Sequence, residues 1–496
     1  MKKNTKNKQS TLNNNYLSAI KAGFVALFFF IFNTNSLAAD IKLPVLGDNS
    51  SGIVSIQQEY SLGQAWLKAF RGYIKQHDDP LLQTYLEQLT FSLVANSDLD
   101  DSRLTLVLIN NPTINAFAVP GGVIGIHTGI FSYADNEDQL ASILSHEIAH
   151  LSQRHFARGI EAQRNASMIS LAGLLATFVV SSQGGTDAGL AALTATQAFS
   201  IDQQLRYSRS NEQEADRLGI KIMERAGRDP EAAADILQKM LAQTRYKTNR
   251  LPEFLLTHPV TDRRVVDTRS RTFKDKQRHY PDSYDYYIMK ARALIALQDD
   301  AKYSVKFFQQ RIEANTLQQD AANYGLSLAY LRLKKNQLAK RIITELLEKK
   351  PFYPAFIFTD ISVDIAMKNH PVAFKKLNAQ IQLNQNNFPL RMLQADALWK
   401  THEYDEAASI LTKISRQRPQ DPTVWYQLAE VRGLAGNISG VHEARAEYFI
   451  LIGALESAKQ QLNFAANLLK ADFKRLSIVK QRLTEIDKIE KSLKKL

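Results

Sequence analysis

Residues 135–155 read DNEDQLASILSHEIAHLSQRH, and the pattern in this stretch governs how the rest of the chain is read. Leu140, Leu144, Ile148 and Leu151 recur at helical spacing behind a polar start, with Asp135 as the expected N-cap and Asp138 three residues on. The predicted helix carries His146-Glu147-Ile148-Ala149-His150. Four residues advance a helix by about 400°, so the two imidazoles share a face about 6 Å apart along the axis. They can hold one metal ion between them, and Glu147 stands where it can take a proton from water on that ion. With ten histidines in 496 residues, chance supplies this motif about 0.01 times per chain. Surface histidines that merely fall into the spacing are the weaker reading.

A catalytic zinc takes three protein ligands and keeps a fourth position for water. The chain has no cysteine, so every donor must be histidine or carboxylate, and disulfides and catalytic thiols are excluded. A second helix is expected from about Ser208 to Ala226, ended by Gly227, and its start reads Asn211-Glu212-Gln213-Glu214-Ala215-Asp216. Glu212 and Asp216 are four apart and share a face. We read Glu212 as the third ligand and Asp216 as the carboxylate that orients a ligating histidine through its far ring nitrogen. Glu214 points about 200° from Glu212 and is read as solvent-facing. His155 falls about 140° off the face of His150 and is read as structural or supporting. His258 precedes Pro259 in an extended segment. It can be a ligand, a donor to the substrate oxyanion, or an ordinary loop residue. A zinc aminopeptidase would carry its glutamate about 18 residues after the motif, against 61 residues between His150 and Glu212 here.

Outward from these helices, Gln64–Leu93 shows two helical periods, Leu104–Ile109 reads as a buried strand, and Asn115–Ile126 reads as strand, Pro-Gly-Gly turn and strand. Residues 160–205 are rich in Ala, Gly and Ser and are expected to form mobile helices and a loop near the site. Asp229-Pro230 precedes another helix, Glu231–Thr244. Beyond about residue 280 strand signals stop, and a 34-residue period places unit starts near 320, 354, 388 and 422, with small residues where paired helices touch. The unit at 354 matches poorly, and residues 439–472 also fit a unit offset by half a period. The expected fold is mainly α: an α+β metallopeptidase domain with a small sheet over 39–275, then an all-α tetratricopeptide-like solenoid over 280–496.

The N-terminus has the order of a secretory signal over residues 1–38. Lys2, Lys3, Lys6, Lys8 and Lys21 precede the apolar run Ala22–Phe32, and Ser36 and Ala38 stand at −3 and −1. The run has 11 residues, short of the ~20 that span a bilayer. Without this segment the net charge of +12 falls to about +7, spread thinly among acids. That is a mildly basic surface compatible with peripheral membrane contact, and it is no nucleic-acid footprint. Export and the lack of cysteine point to the periplasm. Leu171–Val180 is apolar for only ten residues, and no segment after residue 38 reads as transmembrane.

NAFAVPGG, HEIAHLSQRH, NEQEAD and THPVTDRR, all between residues 115 and 264, resemble the gluzincin family that includes the CAAX prenyl endopeptidase and the bacterial heat-shock membrane protease. The order of signal, catalytic domain and repeats resembles that family's periplasmic branch in Gram-negative bacteria. The resemblance implies one zinc ion per chain held by His146, His150 and Glu212, with Glu147 as general base and Asp216 as the supporting acid. It implies that His258 is a fourth ligand or regulatory cap and that Arg264 supports the site. It also implies that the strand around Val119–Ile126 (Val119, Gly122, Val123, Ile124) is the edge that pairs with extended substrate. The expected activity is zinc-dependent endopeptidase cleavage of unfolded or misassembled polypeptides. Outer-membrane β-barrel precursors are the expected clients, and the outer-membrane assembly machinery is expected to be engaged through the repeats. The competing expectation is a chaperone or adaptor whose capped zinc site is mainly structural.

Overall fold

A computed structural model describes residues 54–162, 209–246, 253–272, 279–298 and 300–493. The leader expected over 1–38 and nearly all of 160–205 lie outside the described residues. Helix α1 (Ile56–Arg71) opens with a capping box: Ser55 Oγ accepts from the Gln58 N–H, and Gln58 Oε1 accepts from the Ser55 N–H. In α2 (Pro80–Val94), Asp79 caps the N–H groups of Leu81 and Leu82, and Pro80 takes the first turn, where its missing N–H is not needed. Strands β1 (Thr105–Ile109), β2 (Ala116–Val119) and β3 (Val123–His127) form a sheet in the order β1-β3-β2. β3 runs parallel to β1 and antiparallel to β2. The turn between β2 and β3 sets Gly121 at φ +79° and Gly122 at φ +81°, a region L side chains avoid, so it closes only with glycine at both positions.

This topology corrects the expected edge strand. Val123 and Ile124 lie on the central strand, whose backbone is paired on both sides, so they cannot receive a substrate strand. Gly122 is in the turn, and only Val119 belongs to an outer strand. The strand that the sheet leaves at its edge on this side is β2.

The sheet separates two cores. On one side Trp66 and Phe70 stack at 4.4 Å and meet Phe117 edge-on, with Val107 and Val123 beneath them. On the other, Leu106, Leu108, Ile124 and Ile126 face Leu82, Leu86, Leu89 and Leu93 of α2. Strands buried on both faces need apolar residues throughout, which is why alternation is faint in LTLVLI. A short helix, α3 (Ile130–Tyr133), leads into α4 (Glu137–Ser152), which sits in the second core through Leu140, Leu144 and Ile148. Each such leucine, fully buried, contributes roughly 1.5–3 kcal/mol. The N-cap of α4 is Asn136, one residue later than expected: its Oδ1 accepts from the Gln139 N–H, while Gln139 reaches back to the Asp135 N–H.

After α4 come α5 (His155–Ala162), α6 (Arg209–Arg225), α7 (Glu231–Tyr246), α8 (Glu253–Thr257) and α9 (Asp262–Thr272). Twelve helices follow in hairpins: α10 (Tyr284–Ala296), α11 (Ala301–Glu313), α12 (Gln319–Arg332), α13 (Asn336–Lys349), α14 (Pro354–Ala366), α15 (His370–Leu383), α16 (Phe388–Lys400), α17 (Tyr404–Gln417), α18 (Pro422–Leu434), α19 (Ile438–Leu451), α20 (Leu455–Leu468) and α21 (Phe473–Leu493). Hairpins begin close to 320, 354, 388 and 422, and further ones begin at Tyr284 and Leu455. The half-period fit over 439–472 coincides with α19 and α20, neighbours in the stack that belong to different hairpins. The 354 unit matched poorly because buried Asp360 and Asp364 stand on its packing face. Lys340 and Lys376 from the flanking helices neutralise them.

The change of architecture near residue 280 is no break in the core, because one cluster of buried side chains runs from Leu82 through Tyr286 to Phe356. Tyr286 Oη and Lys290 Nζ both donate to the Ala134 carbonyl at 2.6 Å, and Arg292 pairs with Asp79 at 2.8 Å. Further along, Arg418 of the loop after α17 grips Glu87 of α2. The array therefore returns to the layers around the sheet. Among the described residues no helix is long and apolar enough to cross a membrane.

Candidate metal centre

Helix α4 presents His146, Glu147 and His150 from a fully buried stretch. Helix α6 packs along it, and the approach is close because residue 219 is glycine: a Cβ there would lie 3.3 Å from the His146 backbone nitrogen. The close approach delivers Glu212 to the histidines, its Oε2 3.5 Å from His146 Nε2 and its Oε1 3.4 Å from His150 Nε2. The two Nε2 atoms are 3.0 Å apart. His258, set by α8 through its N–H to the Phe254 carbonyl, brings Nδ1 to 3.1 Å from Glu212 Oε1 and 3.4 Å from His146 Nε2. One donor atom from each of His146, His150, Glu212 and His258 lies within 4.8 Å of all the others, and all four residues are buried.

These spacings fit a metal. Four donors about 2 Å from one ion at tetrahedral angles lie roughly 3.3 Å from each other. Charge points the same way. Glu147, Glu212 and Asp216 are buried with Arg264 as their cationic partner, and a divalent cation offsets the remaining negative charge. Glu147 Oε1 is buried without a hydrogen-bond partner and stands 3.6 Å from His258 Nε2, while the Ala118 N–H of β2 donates to the same carboxyl group.

Asp216 and Arg264 lie behind the cluster. His146 Nδ1 meets Asp216 Oδ1 at 3.0 Å, so the nitrogen facing away from the cluster is the one held. Arg264, on α9, clamps Asp216 with two bonds of 2.7 Å and reaches Glu212 Oε2 at 2.8 Å. Burial alone would raise the Asp216 carboxyl, but the Arg264 guanidinium and the His146 bond bring it down to about 2. Glu212 is likewise held well below the usual carboxylate range, against burial, by its neighbour His258, by the Arg264 guanidinium and by its bonds to His146 and His150. Burial lowers His146 as well, yet Asp216 and Glu212 raise it to about 10, whereas burial drives His150 far down. Burial raises Glu147.

Sequence reasoning read His155 as structural or supporting, without its contact to His150, and missed the part that Glu214 takes. His155 is fully buried and lies with Nδ1 2.7 Å from His150 Nδ1. Glu214, read as solvent-facing, is half-buried and bonds His155 Nε2 at 3.0 Å. The His155 azimuth assumed that the helix continues past Leu151, and the Glu214 reading took no account of what packs on that side of its own helix. Helix α4 ends at Ser152, and Arg154 at φ +49° turns the chain back on itself.

A HExxH helix, a carboxylate from a distant helix and helical hairpins in one body define a metallopeptidase with an attached repeat array. Residues 80–272 match Peptidase family M48, and residues 364–431 match the Tetratricopeptide repeat. The chain is 33% identical over 429 residues to the beta-barrel assembly-enhancing protease of Escherichia coli (strain K12), covering 86% of this chain and 88% of that one. The Yersinia pestis protein of the same name is 33% identical over 437 residues, covering 88% and 89%. The mitochondrial metalloendopeptidase OMA1 of Schizosaccharomyces pombe is 29% identical over 237 residues, covering 45% of this chain and 64% of that one. The chain belongs to the β-barrel assembly-enhancing protease family within the M48 metallopeptidases, and it is a metalloprotease.

Proposed function

We propose that this protein is a periplasmic zinc endopeptidase that cleaves unfolded or misassembled outer-membrane β-barrel proteins, with residues 39–275 as catalytic part and 280–496 as a repeat part that engages clients and the assembly machinery. The convergence of His146, His150 and Glu212 beside Glu147 carries this reading. His146, His150 and Glu212 would hold the zinc, which when bound makes a peptide carbonyl electrophilic and water acidic. Glu147 accepts the water's proton and returns it to the leaving amine. Asp216, clamped by Arg264, keeps the His146 lone pair turned inward. The outer edge of β2 takes the substrate as an added strand through main-chain bonds, so sequence preference is loose. Its Ala118 N–H already donates to Glu147, which sets the scissile bond next to the base. The names of the relatives support the client class. Export rests on the N-terminal pattern and the family's Gram-negative members.

His258 occupies the side of the cluster that an attacking water needs, and we assign it as a cap on the resting enzyme. The capped geometry also favours a second role, in which the repeats chaperone clients while the site stays closed. Glu147→Gln separates the two. We expect proteolysis of an unfolded β-barrel protein to fall by at least ~100-fold, with one zinc per chain and client binding retained. Cleavage at the wild-type rate, or a wild-type protein that binds no zinc, rejects the proposal.

A further inference from the structure

Resting on the metal-site reading above, we propose that His155 and Glu214 form a positioning pair that sets the proton on the outer nitrogen of His150 and so turns its inner lone pair toward the ion. The argument is one of proton counting. The two Nδ1 atoms of His150 and His155 lie 2.7 Å apart, and such a contact holds one proton between them. His150 Nε2 faces His146 and Glu212 inside the cluster. To offer a lone pair there, a neutral His150 must carry its proton on Nδ1 and donate it outward. His155 Nδ1 is then an acceptor, so the proton of His155 sits on Nε2. That atom faces Glu214 Oε2 at 3.0 Å, and the same oxygen accepts from Arg158 Nη1 at 3.0 Å. Each proton position follows from the one outside it, from a half-exposed ion pair inward to the metal.

The arrangement repeats on the other side. His146 is held at Nδ1 by Asp216, and Asp216 by Arg264. Each motif histidine thus has a backing group on its far nitrogen, and each relay ends on an arginine, directly behind Asp216 on one side and behind Glu214 on the other. The two sides differ in the backing atom. A carboxylate can only accept, whereas an imidazole accepts or donates according to its own tautomer, so the His150 side depends on Glu214 to choose. The chain reversal at Arg154 makes this possible. It ends α4 and begins α5 at His155, so a side chain five residues past His150 returns to it.

The test uses the full-length protein, and the readout is zinc affinity, measured by competition with a chromogenic chelator, alongside thermal unfolding of the metal-free chain. His155→Phe fills the space without an acceptor, and His155→Asn restores an acceptor oxygen near the Nδ1 position. We expect the Phe variant to bind zinc 10–100-fold more weakly, the Asn variant to recover most of that loss, and Glu214→Gln to lose several-fold with unfolding unchanged. Nitrogen-15 NMR of the imidazoles should show His155 protonated on Nε2 and His150 on Nδ1. Wild-type zinc affinity in the Phe variant, equal losses in Phe and Asn, or the opposite His155 tautomer would overturn the pair while leaving the metal centre intact. A wild-type protein that binds no zinc overturns the metal reading itself.

Discussion

In the proposed resting state a single side chain, His258, would act as the cap. It stands 1% exposed, with Nδ1 3.1 Å from Glu212 and Nε2 3.6 Å from Glu147, a position from which it would block the approach to the base. Replacing it with alanine should raise proteolysis with zinc retained, by roughly tenfold if the cap is worth about 1.4 kcal/mol. Equal or lower turnover in a casein or unfolded-porin assay argues against capping. A second histidine, at the end of β3, gives a stability prediction free of the metal. Burial pushes the His127 imidazole from the ordinary 6.5 down to about 4, and Thr113 only partly offsets this. The folded chain binds this proton more weakly than the unfolded one. Stability is therefore complete above pH 6.5 and is lost as pH falls toward 4, with about 2 kcal/mol gone at pH 5. His127→Gln should remove that part of the difference between urea unfolding at pH 7.5 and at pH 5. An unchanged difference would show that the buried imidazole is not its source.

Among elements, the α4–α6 pair does most to build the centre. The motif on α4 supplies two histidines and the base, but Glu212 reaches them only because Gly219 lets α6 lie against the α4 backbone. Valine at 219 must push α6 away, at a cost of about 1–3 kcal/mol for overpacking. The stability loss should come with a loss of zinc affinity of at least tenfold, because Glu212 moves with its helix. Calorimetry and chelator competition on one preparation would report both, and a destabilised Gly219→Val protein with normal zinc affinity would contradict this account. The helices themselves were legible in the periodicity of Leu140, Leu144 and Ile148 and in the Gly227 stop. The point at which α4 ends was not, since the left-handed turn falls on Arg154, a residue that carries no breaker signal, and with it went the contacts that His155 makes to His150 and Glu214.

Over the whole molecule, the repeat array and the catalytic layers share a core and a set of buried polar ties. Arg292 of α10 donates to Asp79, which caps α2, and to the Tyr324 hydroxyl of α12. The two charged side chains are 11% and 12% exposed. Removing the guanidinium leaves Asp79 facing a low-dielectric joint, a loss of about 3–5 kcal/mol. Arg292→Ala should lower the melting temperature, with Arg292→Lys intermediate. A single cooperative transition at the wild-type temperature would mean that the joint stands without this tie.

Read alone, the chain determined what depends on local spacing: the two imidazoles on one turn, the carboxylates four apart on a second helix, the Pro-Gly-Gly turn and the hairpins starting near 320, 354, 388 and 422. Helical period and side-chain chemistry are short-range properties, so they survive without a fold. Tertiary structure alone decided that β3 is the paired centre of the sheet and β2 its edge, that Arg264 clamps both Asp216 and Glu212, that His155 backs His150, and that the repeats fold back onto the catalytic layers. Each of these is a meeting of distant segments, or of near ones across a reversal of the chain, and the packing free energy that selects such a meeting is summed over many side chains rather than carried by any local pattern.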